Sequence, residues 1–374
     1  MIYLDYTANT PVATAVLERF LQVERDFIGN PNSSHQCGRA SMEEMAQVTE
    51  GIARLLDVHA SEIIYTSGAS EANNLAIKGI AHATQEIGRH IISTPLEHSS
   101  VGGCLSVLKD EGFEVDLVSV KEDGTIDLDH LKTLMRRDTI LVAICAVDSE
   151  LGSIQPLSKI KEILNDYPNC HLHVDATQAI GKTQISFEGM DTMCFTPHKF
   201  YGLNGCGILL KRKNLDIEPL IHGGASTTRY RSGTPTLALA ASTEAALSIA
   251  LKEQKARNEV VEVFNGILRE KLATYSNVCI NSPEKGVPHI LNLSVGGVKG
   301  TVFQRALDEQ GICVLVRSAC STDGELSGAV FAICQDRRRA LSSWRISLSH
   351  LTTGKEIQRF VEVFDLCYRG LVRK

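Results

Sequence analysis

ILVAICAV, residues 140–147, runs apolar at every position without a charge or a turn former. A strand with one wet face alternates apolar and polar residues, because its successive side chains point to opposite sides of the sheet. An unbroken apolar run suits a strand covered on both faces, as in a parallel sheet with helices above and below. Working outward, EIIYT (62–66), HIIST (90–94), EVDLVSV (114–120) and HLHVD (171–175) also read as strands. Segments with helical spacing of apolar residues separate them, among them EANNLAIKGIAHATQ (71–85) and SKIKEILND (158–166). The alternation predicts βαβ units and a mostly parallel sheet, hence an α/β fold. The pattern changes near residue 235, where PTLALAASTEAALSIALKEQKARNEVVEVFNGILREKLATY predicts a single helix long enough to bridge two domains. HILNLSV, TVFQRALDEQ, ICVLV, SWRISLS and GKEIQRFVEVFDLCYRG then predict a smaller α/β domain, completed by the N-terminal residues. We expect a large domain over 15–255 and a small one over 1–14 and 256–374, with a cleft between them.

At 374 residues two domains are the natural reading. The formal charge of −6 gives no electrostatic reason to expect nucleic acid as a ligand. No apolar run approaches the roughly 20 residues that span a bilayer, and MIYLDYTANTPV lacks the layout of a secretory signal. The 11 cysteines include no C-x-x-C pair, so reduced thiols in a cytoplasm are expected and a metal site is not.

Three segments carry chemistry. In TSGASEANN (66–74) a strand gives way at Gly68 to a helix beginning near Ser70, and free N–H groups at a helix start form an anion site. Ser70 as a simple N-cap is the alternative. Asp175 closes the apolar strand of HVDATQAIGK (173–182), where a buried carboxylate needs a partner. A protonated heteroaromatic nitrogen fits, and so does a helix cap or structural salt bridge. Lys199, in FTPHKFYGLNGCG (195–207), is either a surface charge or an amine that forms a Schiff base with an aldehyde. Pyridoxal phosphate needs an amine, a phosphate cradle and an acid at its ring nitrogen, and these segments supply all three. Thr196 and His198 flank the lysine, and His98 in STPLEHSSV can lie flat on a ring.

The chain resembles the class V aminotransferase group, and within it the cysteine desulfurases of the NifS/IscS type. The resemblance runs nearly end to end, through LDYTANTPV, GNPNSSH, YTSGASEANNLAIKG, PLEHSSV, GSIQP, HVDATQAIGK, PHKFYG, RSGT, SAC and RISLS. It implies the fold type I architecture of pyridoxal-phosphate enzymes, with a mostly parallel seven-stranded sheet sandwiched by helices. By resemblance Lys199 holds the cofactor aldehyde, Asp175 faces the ring nitrogen, Gln178 and Ser149 face the ring oxygen, and His98 stacks. The phosphate cup maps to Ala69, Ser70, Thr196 and His198, with Thr234 reaching the other subunit's site in a homodimer. Arg345 matches the anchor for the substrate carboxylate, and Asn30 is a second substrate contact; a rim salt bridge is the plainer role for Arg345. Cys320, in VLVRSACSTDGELSG, matches the cysteine that attacks the sulfur of L-cysteine and carries it as a persulfide to a protein acceptor.

Three positions depart from the family pattern. Asp148-Ser149 stands where paired asparagines are usual, Ser149 having the shorter reach and Asp148 adding a negative charge. Arg317 replaces the glycine before Ser-Ala-Cys, and Ala225-Ser226-Thr227-Thr228 replaces an acidic–basic stretch. A long tail for docking an iron–sulfur scaffold is not expected. Two other functions stay open: a class V lyase or aminotransferase in which Cys320 is incidental, and a non-catalytic homologue that binds a partner.

Overall fold

The computed structural model describes residues 1–224, 226–316 and 326–372. Its strands are β1 (Ile2–Tyr3), β2 (Ile63–Thr66), β3 (His90–Ser93), β4 (Glu114–Leu117), β5 (Thr139–Cys145) and β6 (His171–Asp175), then β7 (Thr192–Phe195), β8 (Gly207–Lys211), β9 (Val278–Ile280), β10 (Ile290–Val295), β11 (Ile312–Cys313) and β12 (Ser343–Ser347). Strands β2 to β8 form one seven-stranded sheet in the order β2-β8-β7-β6-β5-β3-β4. Pairing is parallel from β7 through β4, while β8 is antiparallel to both β7 and β2. β8 therefore runs against the other six.

Both faces of this sheet are covered, and the alternation of side chains along each strand shows how. Ile64, Ile91, Leu141, Ala143, Cys194 and Leu209 pack against the helices Ala69–Thr84 and Ser99–Asp110. Their neighbours Ile63, Ile92, Val142, Ile144, Met193 and Ile208 face the helices Thr14–Asp26, Gln36–Leu56 and Leu157–Leu164. β5 is buried at all of its positions, whereas the edge strand β4 (EVDL) is largely exposed. The sequence reading does not anticipate β7 (TMCF) or β8 (GILLK). Runs this short show no period that separates strand from helix.

The helix Leu237–Leu272 spans 36 residues, about 54 Å at 1.5 Å per residue. Its first half sets Ala240, Ala246 and Leu247 into the core on one side of the large sheet, beside the helices Thr14–Asp26 and Gln36–Leu56, and its second half sets Val261, Leu268 and Leu272 into another core. That second core lies on the antiparallel sheet β9-β10-β12 and holds Trp344, Phe360 and Phe364. The N-terminal chain joins it: β1 pairs parallel with β11, and Ser347 N donates to Leu4 O at 2.7 Å.

Candidate functional site

Five parallel strands of the large sheet release the chain on the same side. β2 leads to Gly68–Ser70, β3 to His98, β5 to Ser149 and β7 to Lys199, while β6 ends on Asp175 itself. The carboxyl ends of parallel strands are where open α/β sheets place ligands. Here they enclose a cavity of about 320 Å³. Ala69, Ser70, His98, Ser149, Asp175, Gln178, Thr196, His198, Lys199 and Arg345 all line it.

One wall is the start of the helix Ala69–Thr84: Gly68, Ala69 and Ser70 line the cavity, and the N-cap Gly68 supplies no side-chain cap for the first N–H groups. Gly207 of β8 lets this turn sit where it does. A Cβ there would stand 2.5 Å from the Gly68 carbonyl carbon.

Asp175 is 6% exposed and held from two directions. Thr177 N donates to Oδ1 at 2.9 Å, and the Asn73 side-chain amide donates to Oδ2 at 2.8 Å. The second Asn73 N–H goes to Ser100 Oγ at 2.9 Å, and Asn73 Oδ1 accepts from His173 Nε2 at 2.8 Å and from the Cys194 thiol at 2.9 Å. Burial lowers His173 to about 4, so it is neutral. With its Nε2–H given to Asn73, its Nδ1 accepts from the Thr192 hydroxyl. Ser100 carries the network on to His98, whose Nδ1 accepts from Ser100 N at 3.2 Å and caps the helix Ser99–Asp110. Burial also lowers the His98 pKa, so the neutral ring keeps its proton on Nε2.

Lys199 ends a short turn after β7, and its Nζ donates to the carbonyls of Thr7 (2.9 Å) and Ala8 (2.7 Å). Two residues on, Tyr201 adopts φ 70°, a left-handed conformation unusual for an aromatic residue. Thr10 fixes it: Tyr201 N donates to Thr10 Oγ1 at 2.7 Å, and that hydroxyl donates to His198 O at 2.9 Å. The Thr196 hydroxyl donates to Cys206 O at 2.8 Å and accepts from His198 Nδ1 at 2.9 Å. Burial, then the charges of Lys199 and Lys182, lower His198 to about 4. An anion in the cavity would pull it toward the charged form.

Arg345 enters from β12 and is 2% exposed. It donates to Ser149 O at 2.6 Å and to Asp5 Oδ1 at 3.0 Å, and its Nε has no hydrogen-bond partner among the described residues. Burial raises Asp5 while Arg345 opposes the shift. Asp148 does not line the cavity. Its Oδ2 accepts from the backbone of Glu150 and Leu151 in its own turn, and burial, then Glu150, push it up to about 7. The negative charge expected of Asp148 is thus turned away from the cavity and partly protonated at neutrality.

Asn30 and Thr234 lie elsewhere, together, in a groove of about 490 Å³ that also contains Phe20 and Phe27. Cys320, Arg317 and Ala225 lie outside the described residues. The chain on either side of Cys320 is placed: Leu315 pairs with Arg345, and Ser327 Oγ donates to Glu150 Oε2. Among the described residues no cluster has the make-up of a metal site, and no helix is long and apolar enough to cross a membrane.

The sequence reading does not single out Asn73, Lys182, Glu97 or the Thr7 and Ala8 carbonyls. Asn73 had a signal, since a polar amide stands on the helix face that carries Ala72, Ala76 and Ile80. The carbonyls have none, because any residue type supplies one.

The aminotransferase class-V family matches residues 2–360. The NifS/IcsS protein homolog of Lactobacillus delbrueckii subsp. bulgaricus is 36% identical, over 99% of this chain and 97% of that protein. Cysteine desulfurase IscS of Dictyoglomus turgidum is 34% identical, over 97% of this chain and 93% of that protein. Among solved structures, a NifS-like protein superposes with a TM-score of 0.91 at 34% identity, covering 98% of each chain. The chain belongs to the aminotransferase class-V family, among its NifS/IscS-like cysteine desulfurases, and its architecture is fold type I of the pyridoxal-phosphate enzymes.

Proposed function

We propose that this chain is a pyridoxal-phosphate-dependent cysteine desulfurase that converts L-cysteine to L-alanine and keeps the sulfur as a persulfide on Cys320. One observation carries the reading: the amine of Lys199, the buried carboxylate of Asp175 and an uncapped helix start line the same cavity. An aldehyde, a pyridine nitrogen and a phosphate on one small molecule call for those three groups. The volume of about 320 Å³ lies within the range of small-ligand pockets.

In this reading Ala69, Ser70, Thr196 and His198 take the phosphate, and the partner subunit's Thr234 completes that site in a homodimer. Asp175 faces the ring nitrogen, Gln178 and Ser149 face the ring oxygen, and His98 lies over the ring. Once bound, the cofactor supplies an electron sink for the substrate α-carbon. Lys199 Nζ holds the aldehyde and, when released, takes the α-proton. His98 offers its Nε2–H as a hydrogen bond to the substrate sulfur. Arg345 binds the substrate carboxylate: two of its five N–H groups are taken by Ser149 and Asp5, and a planar guanidinium leaves an edge for paired bonding.

At Cys320 the thiolate attacks the substrate sulfur. An S–S bond forms, the C–S bond breaks, and its electron pair stays on carbon, which is protonated and leaves as alanine. One thiol and one cysteine thus give one persulfide and one alanine, with no outside oxidant. The test is to load the purified chain with pyridoxal phosphate, reduce it with borohydride and map the adduct, then assay alanine from L-cysteine. We expect the adduct on Lys199, and loss of persulfide and alanine in Cys320→Ser. An adduct on another lysine, or full turnover by Cys320→Ser, overturns the reading.

A further inference from the structure

Lys182 is the second lysine of this region, and the proposed chemistry leaves it without a task. It follows β6 in the HVDATQAIGK segment and is 7% exposed. Its Nζ donates to Gln178 Oε1, and Gln178 Nε2 donates to Thr7 O at 3.0 Å. In its ammonium form Lys182 has donors and no acceptor, so it can bond only the oxygen of the amide. A reversed Gln178 would set N–H against N–H at Lys182 and oxygen against oxygen at Thr7. The ammonium therefore locks the amide, and the donor that Gln178 has left for the cavity is its second Nε2 hydrogen.

Nothing else explains why a lysine is kept here. No carboxylate lies within salt-bridge distance of Lys182 among the described residues. Burial, then Lys199 and Arg345, lower it to about 7. Behind Lys199 it borders a cavity of about 20 Å³, shared with Tyr6, Tyr201, Arg257, His289 and His350. Burial keeps the two histidines neutral, at about 3 and about 4. His198, likewise at about 4, feels Lys182 from the other side. Apart from Glu253, which pairs with Arg257 at 2.9 Å, the surroundings are cationic or neutral, so they disfavour a second ammonium. An amine held against that preference, with its hydrogen bond to one amide oxygen, has a bonding role.

We infer that Lys182 is a positioning residue: it fixes Gln178 so that an N–H donor, rather than a carbonyl, meets the anionic ring oxygen of the cofactor. The inference rests on the pyridoxal-phosphate reading of the cavity. It carries more weight in this chain because Ser149 is a short side chain and Asp148 is turned to its own backbone. Gln178 is then the longer-reaching donor on that side.

The experiment compares wild type, Lys182→Met, Gln178→Met and the double variant, each reconstituted with pyridoxal phosphate. The readouts are the pH midpoint of the cofactor's visible band and its dissociation constant. A ring oxygen that loses a donor becomes more basic and holds its shared proton more tightly. Lys182→Met should raise the midpoint by about one unit and weaken binding about tenfold. Gln178→Met should do the same, and the double variant should add nothing further. An unchanged Lys182→Met, or a double variant equal to the sum of the singles, overturns the inference. Should Lys182→Met fail to fold, Gln178→Glu serves in its place, because an acceptor-only side chain must raise the midpoint and an unchanged one refutes the role. A wild type that shows no cofactor band overturns the functional reading, and this inference with it.

Discussion

Asn73→Ala is the substitution that most directly tests how the cavity is built. Asn73 and His173 are each 0% exposed, so water does not reach the groups that Asn73 joins. Truncation to alanine strands the His173 Nε2–H and takes one of the donors to Asp175 Oδ2. A buried donor or acceptor left alone costs about 1–3 kcal/mol, so the two together are worth about 4 kcal/mol. Ser100 sits near the surface and can bond water, so it adds little. The assay is equilibrium urea unfolding of the cofactor-free chain, compared with wild type at constant slope. Asn73→Asp supplies the control, since its shape is the same but it sets a carboxylate where the amide stood, 2.8 Å from Asp175 Oδ2. Two carboxylates that close share a proton, so one pKa rises. Stability of the aspartate variant should therefore be lost as pH rises and recovered as pH falls, while the alanine variant shows no such recovery. A loss below about 1 kcal/mol for Asn73→Ala would refute the hub.

Further outcomes follow from individual contacts. Gly207→Ala places a Cβ against the Gly68 backbone, so calorimetric titration should show pyridoxal phosphate bound at least about tenfold more weakly, with about 1–3 kcal/mol lost in unfolding. Glu97 has an Oε2 without a partner among the described residues, and burial pushes its carboxyl up to about 8 from 4.5. The folded state then holds a proton that the unfolded chain releases, so wild-type stability falls as pH rises from 4.5 to 8. Glu97→Gln lacks that dependence, and its advantage over wild type should grow by about 2–4 kcal/mol across the window, read by urea unfolding at both ends. Arg345→Lys keeps the charge but not the planar edge, so steady-state kinetics should show KM for L-cysteine raised at least about tenfold with kcat less affected.

The sheet was legible wherever burial left a pattern. ILVAICAV suits a strand covered on both faces, and β5 is that strand. β7 and β8 were not legible, because runs of four or five residues with three apolar side chains fit a strand or a turn of helix equally well. Asp175, His98 and Lys199 stood out because each follows an apolar run and interrupts it with a chemically active group. Asn73 and Lys182 act on other side chains across element boundaries, contacts that no local spacing encodes. The placement of Asn30 and Thr234 in a groove of their own shows that a single chain does not bring every expected residue to one cavity.

Residues 5–8 tie the cavity to strand β12, far along the chain. Thr7 accepts the amine of Lys199 through its carbonyl and bonds Ser347 through its own amide, 340 positions away. Asp5 likewise meets Arg345. On a ribosome the stretch that seats the amine emerges well before its β12 partners, Arg345 and Ser347, which lie 340 positions further along. The nascent large sheet can collapse while its reactive lysine still lacks its carbonyl clamp, so competence to bind a ligand there is expected to begin only once β12 has been made.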